Sequence, residues 1–388
     1  MRRSCAALRG GGGVAAMHAF LRNSWVDVVI AQTTGSTSAK RTKSRADLVE
    51  CLRTRGRGGA ELHVELKAAA VDAIALARTL PRGALLVDPA DADATALADV
   101  LSRRLARAAE LAEAAYLPDG AAAAPPAPPR SYLALPAGVA LTAVANAEQL
   151  SLAAGRALSF AARVRALRSA AAGGAAGGAA GGAFAATGAG GADMLVGLDT
   201  ETLPWVNSGS YEIALAQVFV CAPPGLGAGA PAGAEVLLLD VPSLAAEAAS
   251  SAAAAATLAR AVRDLFAPRA WPAGLAGAAE PPPRATVLVF GPNDVKLLAG
   301  VGLFASVFRA PAAAHVVDVQ LLAGGRNSVG LSTLCEAVLG APLDKAQRMS
   351  DWMRRPLLPA QARYAALDAA VLPALARALL PMDGAGAP

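Results

Sequence analysis

The sequence predicts an α/β protein whose mixed sheet is flanked by helices, preceded by an N-terminal region that is helical or disordered. Three observations carry this expectation. Apolar runs of strand length recur after residue 131, each bounded by Gly, Pro or charged residues. Three of them, Met194–Asp199, Ile213–Cys221 and Glu235–Asp240, follow one another directly. Later runs alternate with helical segments, so the sheet is expected to be of mixed direction.

Residues 1–45 contain Arg2, Arg3, Arg9 and Arg22, and the first acid is Asp27. An acid-poor, Arg- and Ser-containing start fits an organellar transit peptide. The cluster Lys40-Arg41-Thr42-Lys43-Ser44-Arg45 fits a nuclear address or a phosphate-binding arm, and a disordered basic tail accounts for both features equally. Residues 46–117 read as Ala/Leu-rich helices, for example Thr95 to Tyr116, with no legible function. A stiff Pro-rich linker is expected over 118–130, where Pro125, Pro126, Pro128 and Pro129 cluster.

A domain is expected over 131–382, followed by a short tail at 383–388. It opens on a strand-like run, Val139 to Val144. Asn146 is then a plausible N-cap, with Gln149 three residues on, for a helix from Ala147 to Arg168. The Gly/Ala run at 171–192 reads as a low-complexity insertion. After the three consecutive strands, a fourth is expected at Thr286–Phe290. Helices are expected at Ala253–Phe266, Asp294–Gly300, Leu331–Leu339 and Pro359–Leu380.

Composition narrows the function classes. Of 388 residues, 102 are Ala, 38 Gly and 26 Pro, so the 55% hydrophobic content with 4% aromatics consists largely of methyl groups. No membrane span is expected. The longest charge-free stretch, Ser169 to Ala192, is Gly/Ala alternation, and Ile213 to Ala234 is broken by Pro223, Pro224 and Pro231. Four cysteines and three histidines lie far apart without a Cys-x-x-Cys pair, which argues against a zinc module and for reduced thiols inside a cell. The net charge of +5 resides entirely in residues 1–130, and residues 131–388 are neutral. Overall basicity is therefore no evidence that the second region binds nucleic acid.

Three spaced elements carry the chemistry. Asp199-Thr200-Glu201 ends the run Met194 to Leu198, and residues i and i+2 of a strand project to one face. Two carboxylates so placed repel unless a cation lies between them, which suits a hard divalent metal with oxygen ligands. Asp294 lies just past the C-terminal end of the Val287–Phe290 strand, where α/β sheets commonly place their chemistry. It equally suits the first turn of a helix. Tyr364 and Asp368 are four residues apart on a helix and share a face, as a purely structural helix would also allow.

Together these residues resemble the DEDD superfamily of 3′–5′ exonucleases, in its tyrosine-containing ribonuclease D-like branch. The order Asp199, Glu201, Asp294, Tyr364, Asp368 is the family's order. The stretch Leu343-Asp344-Lys345 … Gln347 … Ser350-Asp351-Trp352 … Arg354-Arg355-Pro356-Leu357 … Gln361 … Tyr364-Ala365-Ala366-Leu367-Asp368 is very similar to the corresponding family segment. Gln217 and Asp318 also fit. The resemblance covers residues 131–380 and implies a ribonuclease H-like sheet. It further implies two divalent ions, Mg²⁺ or Mn²⁺, held by Asp199, Glu201, Asp294 and Asp368, with Tyr364 positioning the attacking water. The implied reaction releases nucleoside 5′-monophosphates from the 3′ end of RNA, slightly favoured, or of single-stranded DNA.

Two departures stand out. The family follows D-x-E directly with an aromatic residue, whereas here Thr202-Leu203-Pro204 precedes Trp205. No helicase-and-RNase-D C-terminal module is expected, so substrate grip should come from elsewhere. Lys296, Lys345, Arg348, Arg354 and Arg355 are candidate phosphate contacts, and solvated charges flanking a helix would look the same. Trp352 reads as a core anchor more than a stacking platform. The reading from another class is a catalytically inactive nucleic-acid-binding or scaffold protein on an exonuclease fold, and a Werner-type DNA exonuclease is the rival within the fold.

Overall fold

Why this chain forms a buried sheet is clearest in its central strand. All nine residues of Ile213–Cys221 are buried, as an apolar run covered on both faces requires. The computed structural model describes residues 59–81, 84–116, 131–174, 191–202, 213–223, 233–270, 281–309, 314–324, 329–348 and 352–380. The N-terminal segment 1–45, the Pro-rich run 118–130, most of the Gly/Ala run and Trp205 lie outside them. The described chain forms two compact units, one from residues up to 130 with 345–362, the other from 131–344 with residues from 363 onward.

In the first unit, α1 (Gly59–Thr79) and α2 (Ala92–Tyr116) pack through Ala69, Ala73, Leu76, Ala98, Leu101 and Leu105. Arg104 reaches Asp72 at 2.5 Å and Glu65 at 3.4 Å across the pair. Segment 345–362 belongs to this unit: Leu358 joins its core and the Leu357 N–H donates to the Leu85 carbonyl at 2.8 Å. Trp352 is fully buried.

The second unit holds a six-stranded sheet in the order β1-β4-β3-β2-β5-β6. Its strands are β1 (Ala140–Val144), β2 (Met194–Thr202), β3 (Ile213–Cys221), β4 (Glu235–Asp240), β5 (Ala285–Val289) and β6 (His315–Asp318). Strands β2, β3 and β4 are an antiparallel meander. The pairs β1/β4, β2/β5 and β5/β6 are parallel. This is the sheet of mixed direction that the sequence predicts.

Helices α3 (Ala147–Gly174), α4 (Val241–Ser250), α5 (Ala252–Phe266), α6 (Asn293–Gly300), α7 (Gly302–Phe308), α8 (Val319–Leu322), α9 (Leu331–Leu339) and α10 (Pro359–Leu379) complete the described chain. Asn146 caps α3 by accepting from the Gln149 N–H at 2.9 Å, and Gln149 Oε1 returns to the Ala145 N–H at 2.7 Å. The helix continues to Gly174, six residues beyond its expected end, because the Ala run that follows favours helix.

Even-numbered residues of β2, namely Met194, Val196 and Leu198, join Val218, Val220, Leu237 and Val287 in the main core. Leu150, Phe160, Val164, Leu258, Val262 and Phe304 pack against them. Phe266 meets Phe304 and Phe308 edge-on, with centroids 6.4 and 5.2 Å apart. The odd-numbered residues of β2 face the other way, toward α10. No helix among the described residues is long and apolar enough to cross a membrane.

Candidate active site

The odd face of β2 carries Leu195, Gly197, Asp199 and Glu201 in a row. Helix α10 lies so close to this row that a β-carbon on Gly197 would fall 2.2 Å from the Ala369 carbonyl oxygen and 3.2 Å from Pro373 Cδ. Ala365, Ala366, Ala369 and Ala370 are buried in α10, and their small side chains permit the approach. Pro373 has no N–H to offer the Ala369 carbonyl, so that oxygen is not drawn into the helix's own ladder. Sequence patterning thus sets both spacing and distance. Strand alternation aligns Asp199 with Glu201, helical periodicity aligns Tyr364 with Asp368, and a glycine lets the two elements meet.

Asp199, Glu201 and Asp368 each offer a carboxylate oxygen, and these atoms all lie within 4.8 Å of one another. Glu201 and Asp368 are buried, and Asp199 is half-buried at the strand end. Desolvation, with repulsion from Asp294 and Asp368, holds the Asp199 carboxyl well above its ordinary range. Tyr364 donates its hydroxyl to Asp368. Burial and the charges of Asp368, Glu201 and Asp199 push its phenol upward, so it stays a neutral donor. A compact, oxygen-only, mutually repelling donor set suits a hard divalent cation, which would relieve the repulsion.

Asp294 stands apart from the three-oxygen cluster. It lies in the first turn of α6, and its Oδ1 accepts from the Thr200 hydroxyl at 2.5 Å. Burial raises its carboxyl and the Thr200 hydrogen bond pulls it back down. That hydrogen bond, to the residue between Asp199 and Glu201, sets Asp294 beside the cluster. The turn that delivers it contains Gly291 at φ +85°, a conformation that favours glycine. The Gly291 N–H donates to Asp318 Oδ1 at 2.9 Å, and the same oxygen accepts from Gln320 N at the start of α8.

The candidate phosphate contacts divide between the units. Lys296 is exposed on α6 in the second unit, while Lys345 and Arg348 are exposed in the first. Arg354 and Arg355 are half-buried, and Arg355 Nη1 donates to the Trp352 and Arg354 carbonyls, each at 2.7 Å. Thr200 and Gly197 escaped the sequence reading. A hydroxyl as the middle residue of Asp-x-Glu is the signal that points to Thr200, whereas nothing local distinguishes Gly197.

Residues 254–382 match a family model described as 3′–5′ exonuclease. Among curated relatives, ribonuclease D of Granulibacter bethesdensis is 50% identical over 48 residues, 12% of this chain and 12% of that protein. Ribonuclease D of a Shewanella species is 36% identical over 111 residues, 26% of this chain and 28% of that protein. The alignments therefore span less than a third of these relatives' length. The solved EXO domain of Aedes aegypti Nibbler aligns with 64% of this chain and 90% of its own, at 20% identity and a TM-score of 0.37. Residues 254–382 are thus similar to a 3′–5′ exonuclease domain, and shorter stretches of the chain are similar to ribonuclease D.

Proposed function

We propose that this protein is a metal-dependent exonuclease that removes nucleoside 5′-monophosphates from the 3′ end of a nucleic acid, with RNA slightly preferred to single-stranded DNA. The observation that carries the reading is the convergence of three carboxylate oxygens within 4.8 Å beside the Tyr364 phenol. Asp199, Glu201 and Asp368, with Asp294 alongside, would hold two divalent ions, Mg²⁺ or Mn²⁺. Such ions, when bound, supply charge stabilisation at the scissile phosphate and lower the pKa of a coordinated water.

The chain's own residues do the rest. The carboxylates fix the geometry because they come from a strand and a helix packed at glycine distance. Tyr364, neutral and anchored on Asp368, orients the attacking water without giving up its own proton. Thr200 holds Asp294 toward Asp199. Lys296, Lys345, Arg354 and Arg355 are proposed to meet substrate phosphates.

The test is digestion of 3′- and 5′-labelled single-stranded RNA and DNA by the full chain with Mg²⁺ or Mn²⁺, beside Asp199→Ala. Stepwise shortening from the 3′ end that is lost in the variant supports the reading. Binding without shortening replaces it with a scaffold, and shortening of DNA alone reverses the substrate preference.

A further inference from the structure

Gln217 lies in β3 directly opposite Asp199. Opposed residues of an antiparallel pair project side by side, with β-carbons about 5 Å apart, so Gln217 points to the carboxylate face. Its side chain is fully buried, and neither Oε1 nor Nε2 has a hydrogen-bond partner among the described residues. Its neighbours on that face of the strand, Leu215 and Phe219, are apolar. An unpaired amide in such a place is destabilising, because its lost hydration is not replaced. A leucine or methionine would avoid that cost.

We propose that Gln217 is a positioning residue for the cation site. Its Nε2 donates to the Asp199 carboxylate and its Oε1 accepts from a water in the cation's hydration shell, once an ion is held by Asp199, Glu201 and Asp368. The amide supplies both a donor and an acceptor. This inference rests on the divalent-cation reading of the site, and it goes further by assigning work to a residue that supplies no ligand oxygen in the cluster.

The experiment is Mn²⁺ binding to the full chain, followed by electron paramagnetic resonance and calorimetry, for wild type, Gln217→Met and Gln217→Leu. The metal-free melting temperature is measured alongside. The expected result is Mn²⁺ affinity lowered about 10-fold or more, as for residues that orient metal ligands, with a metal-free melting temperature unchanged or raised. Affinity within twofold of wild type in either variant overturns the proposal, leaving Gln217 a core residue. Loss of the metal-free fold in both variants also overturns it, because the amide would then be structural without the ion. Wild type that binds no Mn²⁺ overturns it together with the metal site. Wild type that binds Mn²⁺ but digests no nucleic acid refutes the exonuclease reading alone.

Discussion

Gly197 and Ala369 meet at a distance that leaves no room for a side chain: a β-carbon on the glycine would lie 2.2 Å from the alanine's carbonyl oxygen. The obstructing atom is backbone, so it cannot swing aside as a flexible side chain would. Gly197→Ala is therefore expected to push α10 from β2 and to separate Asp368 from Asp199 and Glu201. Overpacking of this kind costs about 1–3 kcal/mol. Denaturant unfolding should register that loss, and turnover on a labelled RNA should fall further than stability alone explains. Wild-type stability and turnover together would exclude the close approach.

Thr200 and Asp294 make a second link between β2 and the sequence-distant acid. Thr200→Val keeps the branched shape and removes only the hydroxyl that donates at 2.5 Å. Turnover is expected to fall about 10- to 100-fold with little change in KM, the usual effect of losing a residue that orients a ligand. Thr200→Ser should recover most of it. Equal loss in the Ser and Val variants would show that methyl packing matters and the hydrogen bond does not.

These two contacts explain what could be read from the sequence. Asp199 with Glu201, and Tyr364 with Asp368, are local relationships that strand and helix periodicity dictate, so their shared faces were legible. The strands were legible because apolar runs such as Ile213–Cys221 are long and bounded. Strand β6 is not legible in the sequence, because it is only four residues long, with His315 and Val316 exposed and Val317 and Asp318 half-buried. Helices α4 and α7 were hidden by Pro242 near the start of one and Gly302 opening the other. The high Ala content has a use that composition does not reveal: Ala365, Ala366 and Ala369 let α10 seat on the sheet. Thr200 with Asp294 and Gly197 with Ala369 are long-range meetings that no local pattern encodes.

Arg165, on α3, ties together the two segments on which β2 and β5 begin. It pairs with the buried Asp193 just before β2, and it donates to the Pro281 and Pro282 carbonyls ahead of β5. Asp193 also accepts from the Arg284 N–H at 2.8 Å. Arg165→Met strands a buried carboxylate and is expected to cost about 3–5 kcal/mol. The double variant Arg165→Met with Asp193→Leu should lose less than Arg165→Met alone, since no charge is left unpaired. Chemical denaturation of the three proteins measures this, and additive losses would contradict a coupled pair.

The raised Asp199 carboxyl makes a prediction about pH in the absence of metal. Its folded pKa lies above the ordinary 3.8, with desolvation the leading cause. Below pH 3.8 the group is neutral in both folded and unfolded chains and carries no penalty. As pH rises, the unfolded chain ionises first and is favoured, so stability falls until the folded pKa is passed, by at most about 1.4 kcal/mol per pH unit. Asp199→Asn stays neutral throughout. In chelator, the variant should therefore melt close to wild type near pH 4 and above it at pH 8. Added Mg²⁺ should reverse the order at pH 8, because only wild type retains the carboxylate that would hold the ion. A melting difference between the two proteins that is constant from pH 4 to 8 would show that Asp199 ionises as freely in the fold as in the unfolded chain.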